Sequence, residues 1–594
     1  MSKDINKSFL GVKNSVNGKR WVSRLEDERL ATALAQRLEV HEIVGRVLAA
    51  RNVELDTASS FLNPKLKTML PNPTHLIDMQ SSVNLIIRAI EDGETIGVLG
   101  DYDVDGATSS SLIVRFFSEL GLTTPVYIPD RQKEGYGPNL PGLLYLKEKG
   151  AHVVITVDCG TTAFAPLEAA AEAGIEVIVV DHHVAEPQLP KGARVVNPNR
   201  ADEESTCGQL AAVGVTFLLI VALNRALREK NWYNKERPEP NLMSWLDLVA
   251  LGTICDVVPL TGLNRALVKQ GLKVLASRGN IGIAALAEVA NVDKALDAYH
   301  AGFVLGPRVN AGGRVGNSAL GVKLLTTDDQ SEAKAIASLL DDYNTERREI
   351  ESAVLEAAMA QAEEQVKDDR PLIIVAGKNW HPGVIGIVAG RLRERFDKPS
   401  CVLALSKGIG KGSGRSVKGV ALGTAVIAAH QAGILVNGGG HTMAAGFTVK
   451  EDKLPELDEF LVAHISRQLD GKRILPTLML DGVLLPTGAS VELIELLECV
   501  GPFGSGNPRP RFGFPQVRVV NSGIVGKDHV RCVLTGVDGG GSLQAIAFRS
   551  AGTPLGNALI DTRGLPLHVA GNLRINEWQG RISPQLFIDD VASA

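Results

Sequence analysis

Cysteine is scarce. The chain has six in 594 residues, Cys159, Cys207, Cys255, Cys401, Cys499 and Cys532. None stands at paired metal-type spacing, so they read as reduced thiols of a cytosolic protein. Long apolar runs are missing too. The longest, residues 210–223, is too short to span a bilayer and is interrupted by Gly214 and Thr216. This leads to the expectation of no membrane association. The N-terminus is polar and lacks a signal-peptide core, which fits a cytoplasmic location. Net charge is small, -5, so any nucleic acid must be held by local basic patches and not by the field of the whole molecule. There is no internal repeat and no long low-complexity segment.

What is present is an ordinary globular composition, with 45% hydrophobic and 22% charged residues. At roughly 150 residues per domain, the length predicts three or four domains. The stretch Val98-Leu-Gly-Asp-Tyr-Asp-Val-Asp-Gly106 organises the rest. Residues 95–100 read as a short buried strand and 107–121 as a helix. Between them Asp101, Asp103 and Asp105 fall at alternate positions. Like charges this close raise one another's pKa. A hard divalent cation removes that cost, because carboxylate oxygens are its preferred ligands. A polar strand-to-helix turn would also account for the stretch alone.

The pattern then alternates. Strands are predicted at 125–129, 152–157 and 175–180, with helices between, which argues for a parallel sheet covered on both faces. Ligands of such sheets bind at the carboxyl ends of strands. Acids stand at those ends: Asp158 in Asp158-Cys-Gly160, and Asp181 in Asp181-His-His183. One such Asp is usually a helix cap, but three strands in succession ending in acids are poorly explained by capping alone. His182 and His183 add nitrogen ligands or phosphate donors. Residues 246–255 read as a buried helix running into Asp256, a carboxylate that needs a partner.

Asp101-Tyr-Asp-Val-Asp-Gly106, Asp158-Cys-Gly160, Asp181-His-His183 and Asp256-Val-Val-Pro259 resemble, in order and placement, the four motifs of the DHH phosphoesterase superfamily. The likeness is to its RecJ-like branch and covers nearly the whole chain. Where many superfamily members begin the first motif with a histidine, this chain has Leu99. The resemblance implies an α/β multidomain fold. Its parts are a parallel-sheet DHH domain at 76–290, a substrate loop and connecting helix at 291–369, a DHHA1 α/β domain at 370–470 and a C-terminal OB-like β-barrel at 471–594. An N-terminal segment, 1–75, carries helical patterning from 27 to 51 and no evident chemistry.

The resemblance also implies two divalent cations, Mn²⁺ or Mg²⁺. Asp158 would bridge both. Asp103 would belong to the first, with Asp101 nearby, and Asp105, His182 and Asp256 would hold the second. His183 would contact phosphate or support the ligands. Two such ions can orient a water in line and stabilise the attacking and leaving oxygens.

Further on, Arg308, Asn310 and Arg314 lie in Gly306-Pro-Arg-Val-Asn-Ala-Gly-Gly-Arg314, which reads as a flexible glycine turn flanked by guanidinium forks suited to phosphate. Residues 331–367 carry a long helical pattern that reads as a connector between two lobes and could approach ~50 Å; a kinked or split helix fits it equally. His381, Ser413, Arg415 and His441 sit in three clusters: Trp380-His-Pro-Gly383, Gly412-Ser-Gly-Arg-Ser416 and a glycine loop, Gly438 to Gly446. The DHHA1 resemblance makes them phosphate or nucleotide contacts. Five short strands are predicted after residue 475, at 477–484, 512–520, 529–534, 543–548 and 567–575. Their basic residues, with Phe512, Phe548 and Trp578, form a mixture used to bind single strands, although the aromatics could equally fill the barrel core.

The expected function is metal-dependent exonucleolytic hydrolysis of single-stranded DNA. By resemblance it runs 5′→3′ in recombination and repair, with a single-stranded-DNA-binding protein and a helicase as partners. Two alternatives remain open: a DHH phosphodiesterase of short oligonucleotides or cyclic dinucleotides, and a catalytically inactive single-strand-binding protein.

Overall fold

The computed structural model describes residues 8–131, 133–368, 370–471, 475–562 and 564–594. The expected boundary at Asp369 and the first seven residues of the N-terminal segment lie outside the described residues. The chain forms two compact units, one of Pro71–Asp256 and Gln270–Ile474, the other of Met1–Leu70, Val257–Lys269 and Leu475–Ala594.

The first unit opens with a five-stranded, all-parallel sheet. Its strands are β1 (Thr95–Gly100), β2 (Val126–Tyr127), β3 (Ala151–Val157), β4 (Glu176–Val180) and β5 (Ala193–Val196), in the order β2-β1-β3-β4-β5. Apolar runs such as Val153-Val-Ile155 are buried on both faces, as expected for a covered parallel sheet. Helix α1 (Val104–Glu119) starts three residues before the expected position, because Asp103 caps it through Asp105 N and Gly106 N. Asp105 therefore sits in the first turn of a helix, not in a loop. Helix α2 (Leu246–Cys255) has the expected bounds.

The glycine-rich stretch 306–314 is not a turn. It forms helix α3 (Gly306–Val315), continuous with a π-helical turn at His300–Leu305. Its glycines are used for close packing. A Cβ on Gly306 would lie 2.4 Å from Cys255 Sγ, and one on Gly313 would lie 2.8 Å from the Tyr102 carbonyl. Tertiary contact thus overrides the poor helix propensity of glycine.

Helix α4 (Gln330–Lys367) runs unbroken for 38 residues. It leads into a second sheet of β6 (Ile373–Lys378), β7 (Ser400–Ser406), β8 (Ile409–Arg415), β9 (Leu435–His441) and β10 (Ala444–Lys450), in the order β9-β10-β8-β7-β6. The clusters 412–416 and 438–446, the second expected as a loop, lie largely in these strands. Phe447 explains part of this, since a Cβ on Gly412 would lie 2.3 Å from its ring. The aromatic side chain covers the glycine of the neighbouring strand.

In the second unit, Phe512–Val525, His529–Gly536, Ser542–Ala547, Arg581–Ser593 and Leu567–Trp578 pair in that order. Phe512–Val525 pairs again with Leu567–Trp578, closing a barrel. Arg581–Ser593 was not expected as a strand. Of the strand expected at 477–484, Thr477–Leu480 pairs with Arg20–Ser23, whereas Gly482–Val483 joins the barrel sheet beside Phe512 and Gly513. The N-terminal helices Glu28–Leu38 and Glu42–Ala49 share one core with the barrel, Leu34, Val44 and Leu48 joining Phe512, Phe514 and Leu586. Trp21 is buried and donates Nε1–H to Asp590 Oδ2 at 2.9 Å.

Candidate functional site

Every strand-end acid of the first sheet faces one place. Asp101 follows β1, Asp158 follows β3 and Asp181 follows β4, each tied to the next strand by its backbone N–H, which donates to Val157, Val180 and Val196 respectively. Asp158 holds φ +61°, a left-handed conformation that is uncommon for a non-glycine residue. Asp105 arrives from the first turn of α1. The start of the helix Ala212–Glu229 holds it, with Ala212 N–H donating to Oδ2 at 2.7 Å and Val213 N–H to Oδ1 at 2.9 Å. Asp256 caps the C-terminus of α2.

Among the described residues, ligand atoms within 4.8 Å of one another form three sets: Asp101, Asp103 and Asp158; Asp105, His182 and Asp256; and Asp158, His182 and His183. His182 Nε2 lies 3.4 Å from Asp158 Oδ1, 3.6 Å from Asp256 Oδ2 and 3.9 Å from Asp105 Oδ2. Its Nδ1 faces the Leu210 carbonyl at 3.0 Å. With Nδ1–H donating there, the Nε2 lone pair points at three carboxylates. Burial, then the neighbouring His183, lowers the His182 pKa to about 4, so the ring is neutral.

A divalent cation would satisfy a cluster of this kind. Asp101 Oδ1, Asp158 Oδ1, His182 Nε2 and Asp256 Oδ2 are all buried without a hydrogen-bond partner. Burial and mutual repulsion push the pKa of Asp101, Asp105 and Asp158 well up. Burial and Asp103 bring Asp256 to about 7. Buried like charges with orphaned lone pairs cost several kcal/mol, and a divalent ion removes that cost. Carboxylate oxygens with one or two imidazole nitrogens suit Mn²⁺ or Mg²⁺.

His183 differs from its neighbour. Burial disfavours its charge, but the Asp181 carboxylate at 2.8 Å wins and raises its pKa to about 9. Asp181 is in turn held by the backbone N–H groups of His182, His183 and Thr161. Asp181 orients the pair of histidines, a task that its position in the motif alone did not assign.

A second cluster is cationic. A Cβ on Gly383 would meet the Arg314 carbonyl at 2.5 Å and His381 Nδ1 at 2.9 Å, and one on Gly386 would meet Ser413 Oγ at 3.0 Å and Arg415 Nη2 at 3.2 Å. Arg314 Nη1 donates to the Gly383 carbonyl. Arg314, His381, Ser413 and Arg415 therefore converge around Gly383 and Gly386, where the turn 382–384 enters the helix Ile385–Phe396. Burial, then repulsion from Arg131, lowers the pKa of Arg314 to about 10 and that of Arg415 more mildly. Arg131 is a member of this cluster that its loop sequence did not reveal; its guanidinium lies 5.1 Å from the Tyr102 ring centre.

Three expected residues are placed differently. Arg308 is 9% exposed and already engaged, by Asp341 at 2.8 Å and the Val304 carbonyl at 2.7 Å. Asn310 is half-buried on the same helix, and His441 stands exposed at the end of β9. Conversely, Tyr136 was not foreseen. It is 54% exposed, donates its hydroxyl to the Asp158 carbonyl at 3.0 Å, and lies between the rings of Tyr102 and His183. Only its glycine neighbours, Gly135 and Gly137, hinted at a special turn.

An acid-and-imidazole edge on a parallel sheet, followed by a second α/β domain that contributes Ser413 and Arg415 to a cationic cluster, agrees with a DHH-class protein. The chain matches the DHH family N-terminal domain at residues 95–253, the DHHA1 domain at 369–467 and the RecJ OB domain at 480–590. It is 36% identical over 564 residues to the single-stranded-DNA-specific exonuclease RecJ of Escherichia coli, covering 93% of this chain and 96% of the relative. Crystal structures of RecJ from Thermus thermophilus superpose on it, the Mn²⁺ complex at TM-score 0.79 and 29% identity, the Mg²⁺ complex at 0.75 and 28%. They cover 96% of this chain and 79% and 78% of theirs. The chain belongs to the RecJ family. No helix among the described residues is long and apolar enough to cross a membrane.

Proposed function

We propose that the chain hydrolyses phosphodiester bonds of single-stranded DNA from an end, 5′→3′, releasing mononucleotides during recombination and repair in the cytoplasm. The observation that carries this is the set of orphaned lone pairs of Asp101, Asp158, His182 and Asp256 converging on one place in a RecJ-family chain. Direction, biological role and the partners, a single-stranded-DNA-binding protein and a helicase, rest on family resemblance.

Asp101, Asp103 and Asp158 would hold one divalent ion and Asp105, His182 and Asp256 the other, with Asp158 within reach of both sets. When bound, such ions supply the charge neutralisation and water activation that phosphodiester hydrolysis requires. The remaining work belongs to the protein. His183, kept protonated by Asp181, presents a donor to a phosphate oxygen. Arg314, Ser413 and Arg415, with Arg131 and His381, offer forks and hydroxyls to the phosphate backbone. Asn310 and His441 stand on the same unit as further substrate contacts. Arg308 braces α3 through its ion pair with Asp341. Tyr136 offers a ring face to a base beside the reacting phosphate.

The test is digestion of end-labelled single-stranded DNA, double-stranded DNA and a dinucleotide, each with Mn²⁺, Mg²⁺ or chelator. Metal-dependent loss of the single strand from its 5′ end supports the reading. Cleavage of the dinucleotide alone would favour a short-oligonucleotide phosphodiesterase, and binding without cleavage an inactive single-strand-binding protein.

A further inference from the structure

The stretch after β5, Asn197-Pro-Asn-Arg200, has no part in the four motifs, yet its two asparagines hold the histidine pair. Asn197 is fully buried. Its amide donates to Thr161 Oγ1 at 2.9 Å and to the His183 carbonyl at 2.8 Å, and its Oδ1 accepts Asn199 N–H at 2.8 Å. Asn199 Nδ2 then donates to the His182 carbonyl at 2.6 Å and to the Gly208 carbonyl at 2.9 Å.

The second bond reaches past His182. Gly208 lies in the turn 207–210, closed by Leu210 N–H on the Cys207 carbonyl. That turn carries the Leu210 carbonyl facing His182 Nδ1, and it runs directly into the Ala212 and Val213 N–H groups that hold Asp105. One side chain therefore pins both the backbone of His182 and the turn that fixes its ring. The same turn fixes Asp105. His182 and Asp105 are two of the three members of a single ligand set, the one completed by Asp256. Gly208 fits the bond from the other side. A Cβ there would lie 2.7 Å from Asn199 Oδ1 and would displace the amide.

We propose that Asn199 is a positioning residue for the ion that Asp105, His182 and Asp256 would hold, aiming the His182 ring from outside the ligand shell by holding its backbone and the turn that carries the Leu210 carbonyl. This rests on the reading of the cluster as a metal site. The partner of the far ring nitrogen of a metal-ligating histidine fixes its tautomer and orientation, and losing it costs about 10–100-fold in affinity; here that partner is the Leu210 carbonyl, and Asn199 holds the turn that presents it. The loss should fall on one ion, because the Asp101–Asp103–Asp158 set takes no support from this turn.

The test is calorimetric titration of the metal-free full-length chain with Mn²⁺, for the wild type, Asn199→Ala and Gly208→Ala. Expected is a 10–100-fold weaker affinity for one of two ions in both variants, the other ion unchanged. Hydrolysis should return toward the wild-type rate at saturating Mn²⁺, which a purely structural defect would not allow. Gly208→Ala keeps Asn199 and carries the test if Asn199→Ala fails to fold. Unchanged Mn²⁺ affinities in a folded variant overturn the proposal, as does an equal loss at both ions. A wild-type chain that binds no Mn²⁺ overturns the metal reading itself, and the positioning role falls with it.

Discussion

Asp158→Asn separates stability from function at the acid cluster. Asp158 is buried, its Oδ1 has no hydrogen-bond partner, and after desolvation its charge is opposed by Asp103, Asp105, Asp101 and Asp256. Two like charges about 5 Å apart repel by roughly 3 kcal/mol at an effective dielectric of 20. Taking up a proton limits the cost. For a carboxyl of ordinary pKa 3.8, that ceiling at pH 7 is about 4 kcal/mol. Without metal, the amide should stabilise the protein by about 1–4 kcal/mol, raising the melting temperature by several degrees.

With Mn²⁺ the order reverses. The wild type gains RT ln(1 + [L]/Kd) from each bound ion, while Asp158→Asn, without the carboxylate shared by both ions, gains less and loses hydrolysis. The sign with pH follows from the raised pKa of Asp158. The folded chain binds that proton more tightly than the unfolded chain, so the stabilisation is complete below about pH 4 and is lost as pH rises. Metal-free wild type should therefore become more stable from pH 7 towards pH 5, and the variant less steeply so. Scanning calorimetry of both proteins with chelator and with Mn²⁺, at both pH values, measures these stabilities. A metal-free variant less stable than metal-free wild type would refute the repulsion argument. Wild-type hydrolysis in the variant would refute the bridging role.

Other outcomes follow from single contacts. Asp481 is fully buried between Arg24 and Arg51 and accepts Arg511 N–H; Asp481→Ala leaves Arg51 buried without its counter-charge and should cost about 3–5 kcal/mol in denaturant unfolding, and a loss below 1 kcal/mol would contradict the packing described. Asp247, whose pKa burial raises to about 6, opposes folding above that pH; Asp247→Asn should stabilise at pH 8 by about 3 kcal/mol and much less at pH 4, and a gain equal at both pH values would exclude titration as its cause. Arg415→Ala should weaken single-strand binding and reduce the salt slope by about 1, whereas an unchanged slope would remove Arg415 from the phosphate path.

The sequence by itself determined where the chemistry lies. Apolar runs ending in acids define covered strands and their carboxyl edges, and the alternation of β1, β3 and β4 with helices leaves one parallel topology in which those ends face one place. The order of four motifs carried the family. The connecting helix α4 was legible from its periodic apolar face.

Tertiary structure decided the rest, because it depends on partners distant in the chain. Glycine-rich 306–314 becomes helix through close contact with Cys255 and Tyr102, which no local propensity reports. The glycines of β8 and β9 become strands because β10 lies between them and supplies Phe447. The N-terminal helices had no visible task because their partner, the barrel, begins more than 400 residues later; Trp21 meets Asp590 only when both ends of the chain have folded together. Arg308 looked like a phosphate fork until Asp341 occupied it. Asn199 carries no signal of its own, since a hydrogen bond to the carbonyls of His182 and Gly208 exists only after the strand ends and the 207–210 turn have been brought side by side.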